Sequence, residues 1–178
     1  MNTGKTARKQ VPAVAKLIEA RGVRWQKGQR PSTNLDIGSG PYTDFSDWLK
    51  KRGVVNFPVD ANHMTVMGTN LLYQMMEIQA WTDRGGWFDT VTLSNVLNVI
   101  ETYEDLRSTI KYAADNCHPE TLVYATVYEG DRSGEGRKTR DGWQRNQKIR
   151  EYVIPLEEFF LTVERRGPLI VCWGPKKK

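Results

Sequence analysis

The sequence LDIGSG, which ends at Gly40, combines one carboxylate with two glycines directly after an apolar segment. Residues 33–37 have the composition of a short buried strand, and residues 41–52 are predicted to form a helix. Because Gly38 and Gly40 lack a Cβ, the backbone between these elements can turn sharply and let a ligand approach closely. The N–H groups at a helix start favour an anionic or polar ligand, and Asp36 is suited to a ligand's amino group. The pattern predicts a ligand site, with an ordinary strand-to-helix turn as the alternative.

A second carboxylate follows the next apolar run. Residues 54–59 are predicted to form a strand, and Asp60, 24 positions after Asp36, comes directly after it. This spacing is close to the ~20 residues expected of a ribose-binding acid in nucleotide-binding βαβ units. A carboxylate there can accept hydrogen bonds from both ribose hydroxyls. Pro58 lacks a backbone donor, which favours an edge strand or a bulge. The alternative for Asp60 is an N-cap of the helix predicted over residues 64–81.

A third segment, with the sequence FDTVTLSNVLNVI at residues 88–100, begins as a strand. Three polar residues, Ser94, Asn95 and Asn98, fall where that strand is expected to end. Asn favours turns and caps. A purely structural interpretation is therefore that the two asparagines cap the turn into a helix predicted over residues 103–114.

The three segments, in this order, resemble the class I S-adenosylmethionine-dependent methyltransferases. In that family the first strand ends in hydrophobic-D-x-G-x-G, an acidic residue closes the second strand, and the fourth strand begins F-D-x-V. The resemblance implies S-adenosylmethionine as cofactor and methyl transfer as reaction. It also implies that Ser94 and Asn95 contact the methionine part of the cofactor and that Asn98 faces the substrate. The implied cofactor residues are Asp36, Gly38, Ser39, Gly40, Asp60, Ala61, Ser94 and Asn95.

Strands that alternate with helices and end in a hairpin predict an α/β fold. We expect a doubly wound, Rossmann-like sandwich with a mostly parallel sheet and a terminal antiparallel hairpin. Helical spacing of apolar residues predicts an N-terminal helix over 8–22, and Met75 is among the methionines expected to fill the core. A third strand within residues 76–80, where Glu77 or Gln79 would reach the adenine, is one interpretation. The other predicted elements are a fifth strand at 121–128, a short helix at 155–161, and a hairpin of 162–166 with 169–173.

Residues 131–150, called here the basic segment, carry seven Lys or Arg and three acidic residues, which is +4 of the chain's net +5. Glycines make its first part flexible, and residues 143–152 are predicted to form a helix. A mobile basic loop with an aromatic residue suits phosphates and an unstacked base. We therefore interpret residues 130–150 as a substrate-loop insertion with nucleic acid as a candidate partner; a solvated surface loop is the alternative. The candidate substrate residues are Asn98, Tyr128, Trp143 and Arg145.

Residues 139–146 and 94–100 also resemble a small group of bacterial and phage methyltransferases linked with modified DNA. However, no D-P-P-Y or N-P-P-Y sequence and no Pro-Cys pair follows the strand that begins at Phe88. The usual apparatus for methylating a DNA amino group is therefore missing, and covalent methylation of cytosine C5 is disfavoured. Neither the acceptor nor a catalytic residue is identified by the sequence.

Two other functional classes compete with this interpretation. A non-catalytic nucleic-acid-binding module on the same fold is suggested by the basic segment and by the lack of an evident general base. A nicotinamide-dependent reductase is disfavoured because Thr43 stands at the third glycine position of G-x-G-x-x-G. The chain also leaves little room for a second nucleotide-binding half.

The length of 178 residues suits a single domain, predicted to span residues 1–178. No stretch approaches the ~20 apolar residues of a membrane span, and the polar, basic first ten residues lack the apolar run of a secretory signal. The two cysteines, Cys117 and Cys172, are far apart, and so are the two histidines. Neither a disulfide framework nor a metal site is therefore predicted. We expect a cytoplasmic protein with no membrane or metal partner.

Overall fold

The computed structural model describes residues 11–20, 32–61, 71–140 and 142–176. Its helices are α1 (Ala13–Ala20), α2 (Asp44–Lys50), α3 (Leu71–Asp83), α4 (Tyr103–Asp115) and α5 (Val153–Glu157). Its strands are β1 (Ser32–Ile37), β2 (Val54–Val59), β3 (Phe88–Ser94), β4 (Cys117–Thr126), β5 (Arg137–Thr139), β6 (Gly142–Gln144), β7 (Phe160–Arg166) and β8 (Leu169–Pro175). Short 3-10 turns cover Leu97–Val99 and Ile149–Tyr152.

Six of these strands form one sheet in the order β2-β1-β3-β4-β8-β7. The first four are parallel, whereas β8 runs antiparallel to both β4 and β7. The predicted α/β fold, with a mostly parallel sheet and a terminal antiparallel hairpin, is confirmed. Ile37 pairs with both Val59 and Leu93, so the carboxyl ends of β1, β2 and β3 meet at one edge of the sheet.

Successive side chains of a strand point to opposite faces of the sheet. Both faces carry apolar side chains, and helices cover both. On one face of the sheet, Leu35 and Leu93 belong to the larger buried cluster, which also contains Ile110 of α4. The other face packs against α1 and α2 in a second cluster that includes Ile18 and Leu49. The predicted N-terminal helix is present as α1, while the ends of its predicted range at 8–10 and 21–22 lie outside the described residues.

The third strand suggested for residues 76–80 is wrong, because α3 occupies these positions. In α3, Gln74 and Ile78 are buried at helical spacing, and the Trp81 ring lies 5.4 Å from the Phe57 ring of β2. Met75 is 42% exposed, so the expectation that it fills the core is also wrong. Within the described part of the chain, β2 therefore forms an edge of the sheet.

This edge position accounts for Pro58, which lies in β2 opposite Asp36 of β1. Proline has no N–H for a strand partner and is tolerated at a sheet edge. The sequence allowed either an edge or a bulge, and the sheet order selects the edge.

The helix predicted over residues 143–152 is wrong. Gly142 to Gln144 pair with β5 as a two-stranded hairpin, and only residues 149–152 form a 3-10 turn. The Trp143 ring packs so closely on Gly136 that a Cβ at position 136 would lie 2.4 Å from ring carbon Cζ2. This contact holds the two strands of the hairpin together.

The last predicted elements are shifted along the chain. The short helix is α5, which ends at Glu157, and β7 already begins at Phe160. Strand β4 ends at Thr126, so Tyr128 lies two residues beyond the strand rather than at its end. Among the helices of the described ranges, none combines the length and apolar character needed to cross a bilayer.

Candidate functional site

The glycine turn after β1 is anchored to the end of β2. Gly38 and Gly40 have φ angles of 73° and 68°, which L side chains rarely adopt. The amide N–H of Gly38 donates to the Val59 carbonyl over 2.7 Å. A Cβ at position 38 would lie 2.4 Å from Cγ2 of Val96, which follows β3. Glycine is therefore required here both by the backbone angle and by the approach of the next loop.

Asp60 is built into this turn. Its side chain is buried, and Oδ2 accepts a hydrogen bond from the Gly40 amide over 2.8 Å. Its own N–H donates to Oε1 of Gln74 in α3 over 2.9 Å. The structure therefore brings the two predicted carboxylates and the glycine turn to one sheet edge. Exposed Ala61 follows Asp60. The helix was predicted to start at residue 64, and the positions directly after Ala61 lie outside the described residues, so the capping alternative for Asp60 stays a prediction.

Asp36 is buried beside the turn, and Thr92 donates a hydrogen bond to its Oδ1 over 2.9 Å. Burial raises the pKa of Asp36 from 3.8 to about 7, and the negative charge of Asp60 adds to this rise. Hydrogen bonds with Thr92 and Asn56 oppose the rise. The Asp36 carboxyl group therefore keeps its proton to a much higher pH than a carboxyl group in water does.

A chain of buried and half-buried polar side chains, called here the polar ladder, connects Asp36 to α2. Asn34 donates to Oδ1 of Asn56 and to Oγ1 of Thr92 over 2.8 and 3.1 Å. It also accepts a hydrogen bond from Thr90 over 2.7 Å. Asn56 in turn donates to Oγ of Ser46 over 2.9 Å. Sequence reasoning missed this ladder, although polar residues at alternate positions of β1 and β3 are its signal.

The end of β3 lies at the same sheet edge as the glycine turn. Ser94 pairs with Thr126 of β4, and their hydroxyl oxygens are 3.5 Å apart. Asn95 has a φ angle of 57°, and its N–H donates to the Thr126 carbonyl over 2.8 Å. The structure thus places Ser94 and Asn95 beside the predicted cofactor residues. Their contact with a cofactor stays a prediction.

Asn98 lies inside the protein rather than on an open surface, with 2% of its area exposed. Its Nδ2 donates to Oε1 of Gln144 over 3.2 Å, and its Oδ1 accepts from the Tyr128 N–H over 3.4 Å. Gln144 also donates to the Tyr128 carbonyl over 2.9 Å. This burial does not support the expectation that Asn98 faces the substrate. The cap of α4 is Thr102, which accepts from the Asp105 N–H, so the alternative that Asn95 and Asn98 cap this helix is wrong.

Arg145 joins the basic segment to the loop after β3. Its N–H donates to the Asn98 carbonyl over 2.9 Å. Its guanidinium donates to the carbonyls of Ile100 and Glu101 over 2.6 and 3.2 Å. The two runs 94–100 and 139–146, singled out separately in the sequence, are therefore in contact. These bonds give Arg145 a structural role, and the packing of Trp143 on Gly136 does the same for that ring.

Several cations of the basic segment have acidic partners close by. Arg132 forms an ion pair with Glu129 at 2.6 Å, and Arg137 forms one with Asp131 at 3.5 Å. Tyr128, by contrast, is 65% exposed at the same end of β4. Of the predicted substrate residues, Tyr128 is the one whose side chain faces outward. Among the residues that the structure describes, no cluster of three or more His, Cys, Asp or Glu could hold a metal ion.

Comparisons with known proteins agree with this architecture. A family model described as a methyltransferase domain matches residues 8–167. No curated protein matches the chain in sequence.

Three solved structures illustrate the likeness in fold. The 1,6-didemethyltoxoflavin-N1-methyltransferase of Burkholderia thailandensis, bound to 1,6-didemethyltoxoflavin and S-adenosylhomocysteine, is 18% identical; 93% of this chain and 77% of that chain are covered, at a TM-score of 0.56. An S-adenosylmethionine-dependent methyltransferase of Clostridium acetobutylicum is 11% identical, with 90% of each chain covered and a TM-score of 0.55. A sugar N-methyltransferase of a Streptoalloteichus species is 12% identical, with 92% and 87% covered and a TM-score of 0.57.

Proposed function

The chain belongs to the methyltransferase-domain family, and we propose that it transfers a methyl group from S-adenosylmethionine to an acceptor at the carboxyl edge of its sheet. In open α/β sheets, ligands bind in the crevice outside the carboxyl ends of the strands. One observation carries the proposal: the N–H of Gly40 in the glycine turn donates to the buried Asp60 carboxylate over 2.8 Å. This bond joins the two motifs that would hold an adenosyl group.

The turn fits such a cofactor because it has no side chain where the ligand would approach. A Cβ at position 38 would lie 2.4 Å from Cγ2 of Val96, so a larger residue would push the turn and the loop after β3 apart. Asp60 would hold the ribose, because a carboxylate has two oxygens and can accept hydrogen bonds in addition to the one from Gly40. Ser39 and Ala61 would contribute backbone contacts on either side.

Asp36, Ser94 and Asn95 would hold the methionine part of the cofactor. Burial raises the pKa of Asp36 to about 7. The ammonium group of the methionine part would counteract this rise, because a nearby positive charge favours the ionised carboxylate. Ser94 and Asn95 stand at the end of the neighbouring strand β3. The polar ladder, through Thr92, fixes the orientation of the Asp36 carboxyl group.

When bound, S-adenosylmethionine supplies an electrophilic methyl carbon. The residues of this chain would hold the acceptor within ~3–3.5 Å of that carbon, in line with the breaking bond, and exclude water. The loop 94–100 and the outward-facing Tyr128 would face the acceptor. The bonds among Asn98, Gln144 and Tyr128 keep that loop in one conformation.

Two classes of acceptor are supported by different observations. The similar structures include enzymes named for a toxoflavin precursor and for a sugar, which favours a small molecule. The basic segment, together with its resemblance to methyltransferases linked with modified DNA, favours nucleic acid. A non-catalytic nucleic-acid-binding module is the competing function, motivated by the same basic segment. The nicotinamide-dependent reductase has no support from the family match.

Calorimetry with S-adenosylmethionine, S-adenosylhomocysteine and reduced nicotinamide cofactors tests the proposal. We expect the first two to bind and the nicotinamide compounds not to bind. Asp60→Ala should weaken binding about 10- to 100-fold, because a hydrogen bond to a charged group contributes about 1.5–3 kcal/mol. Glu120→Ala, which removes an exposed carboxylate near the opposite edge of the sheet, is the matched control.

Incubation with tritiated methyl donor then separates catalysis from simple binding. Label should appear in nucleic acid or in small molecules from a cell extract. Cofactor binding without label in any fraction would favour the non-catalytic module. Equal affinity of the parent and Asp60→Ala for the cofactor would contradict the assignment of the ribose site.

A further inference from the structure

A pocket of about 610 Å³ opens where β4 ends. Its walls are residues 127–130, residues 148–150 and the β7–β8 turn at 167–168. Ala125 pairs with Ile170, so the antiparallel register brings that turn beside the end of β4. Because Ser94 pairs with Thr126 directly before the pocket wall, the pocket lies at the same sheet edge as the glycine turn.

The pocket is strongly basic. Four cations, Arg132, Lys148, Arg150 and Arg165, and a single carboxylate, Glu129, line it. Only Arg132 is in an ion pair with Glu129. The exposed side chains of Lys148 and Arg150 have no hydrogen bond or ion pair within the described ranges, and Arg165 has only a 3.5 Å bond to the Gly167 carbonyl. Lys148, Arg150 and Arg165 therefore line the pocket with no described carboxylate within ion-pair distance.

Glu129 holds this cationic wall in place. Its Oε1 accepts the Ile149 N–H over 2.7 Å, which fixes the backbone between Lys148 and Arg150. The Ile149 hydrogen bond, the positive charges of Arg132 and Lys148 and the Arg132 hydrogen bond lower the pKa of Glu129, so it stays ionised at neutral pH. Ile149 itself is buried in the core, so the two cations stand on an anchored turn.

Tyr128 adds an aromatic surface to the rim, since it lines the pocket and is 65% exposed. Guanidinium groups match the geometry of phosphate oxygens, and aromatic rings stack on unpaired bases. We propose that this pocket binds a phosphate group of the methyl acceptor, with the attached base against Tyr128. The proposal rests on the proposed function, because it assigns the pocket to the acceptor of that reaction.

The phosphate can belong to a free nucleotide or to a single-stranded nucleic acid, and two probes distinguish these sources. Calorimetry measures the binding of adenosine monophosphate. Fluorescence anisotropy measures the binding of a labelled 12-nucleotide single-stranded DNA at several salt concentrations. The test variant is Lys148→Ala/Arg150→Ala. Lys50→Ala/Lys51→Ala removes the same charge from exposed residues at the end of α2 and is the matched control.

The parent should bind at least one probe, and Lys148→Ala/Arg150→Ala should bind it at least tenfold more weakly. If the probe is the oligonucleotide, the slope of log affinity against log salt should become shallower by about 0.7, since the pocket holds one phosphate and each phosphate contact with a single strand contributes about 0.7. Tyr128→Leu should weaken binding without changing that slope. The control should stay within twofold of the parent.

Binding of adenosine monophosphate alone would assign the pocket to a nucleotide, and a salt-dependent loss with the oligonucleotide would assign it to a nucleic acid. Equal weakening in the pocket variant and the control, or no binding of either probe, would overturn the proposal. Calorimetry with S-adenosylmethionine on the same variants should show unchanged affinity. A parent that binds either probe through the pocket but does not bind S-adenosylmethionine would refute the proposed function and the role of the pocket in it, while leaving the assignment of a phosphate site intact.

Discussion

Replacing Asp36 with asparagine tests how burial controls the ionisation of this side chain. Burial raises the pKa of Asp36 from 3.8 to about 7 in the folded protein. Between those pH values the unfolded chain releases the proton and the folded chain keeps it, so the stability of the parent falls as pH rises. The rise in pKa corresponds to about 4 kcal/mol, reached in full above pH 7.

Asparagine resembles the protonated carboxyl group in shape and keeps an oxygen that can accept the hydrogen bond from Thr92. Asp36→Asn removes the titration. The free energy of unfolding of Asp36→Asn, minus that of the parent, should therefore increase with pH by about 4 kcal/mol between pH 4 and pH 8. Any constant offset from altered packing would appear equally at every pH.

Urea unfolding followed by circular dichroism at four pH values from 4 to 8 measures this difference. Asp115→Asn, in a surface ion pair with Lys111 on α4, controls for the loss of one carboxylate. A difference for Asp36→Asn that stays flat, or that decreases with pH, would refute the argument. It would mean that Asp36 is already ionised in the folded protein at acidic pH.

Two further predictions concern packing around the site. Gly38→Ala should lower the free energy of unfolding by about 2–4 kcal/mol in thermal unfolding, because the new Cβ meets Val96 and the φ angle is 73°. Gly85→Ala is the control: φ is 76° there and a Cβ has no neighbour within 4 Å, so the loss should be only about 1 kcal/mol. Equal losses in the two variants would contradict the steric argument. Asn98→Ala removes the buried donor to Oε1 of Gln144, so it should cost about 1–3 kcal/mol of stability. It should also lower turnover more than cofactor affinity, and a change in cofactor affinity larger than the change in turnover would contradict this.

The glycine turn and Asp60 could be predicted from the sequence because their signals are local or topological. Gly38 and Gly40 stand where the backbone takes positive φ angles, which glycine adopts far more readily than other residues. The meeting of Asp36 and Asp60 follows from the rule that parallel strands end at the same edge. Pro58 was informative in part: its missing donor pointed to an edge strand or a bulge, and the sheet order selects the edge.

Other features depend on contacts between distant residues and could not be predicted. The polar ladder needs Asn34, Asn56 and Thr92 to meet across three strands. The buried role of Asn98 depends on Gln144, which is 46 positions later. In both cases the polar residue types suggested a site or a cap, and only the folded structure shows which partners satisfy them.

Errors in secondary structure have a similar origin. Residues 76–80 are suited to a strand or a helix by composition, and contacts such as that between Trp81 of α3 and Phe57 of β2 accompany the helix. The hairpin in the basic segment forms where Trp143 packs on Gly136, seven positions earlier. Short-range patterns do not encode this contact.

A crystal structure grown with S-adenosylhomocysteine tests the central claim most directly. The account predicts the ligand in the crevice at the carboxyl edge, with its ribose hydroxyls within hydrogen-bonding distance of Asp60 and its body against the turn at Gly38 and Gly40. Ligand bound elsewhere, or a crevice closed by protein side chains in crystals saturated with the compound, would contradict it.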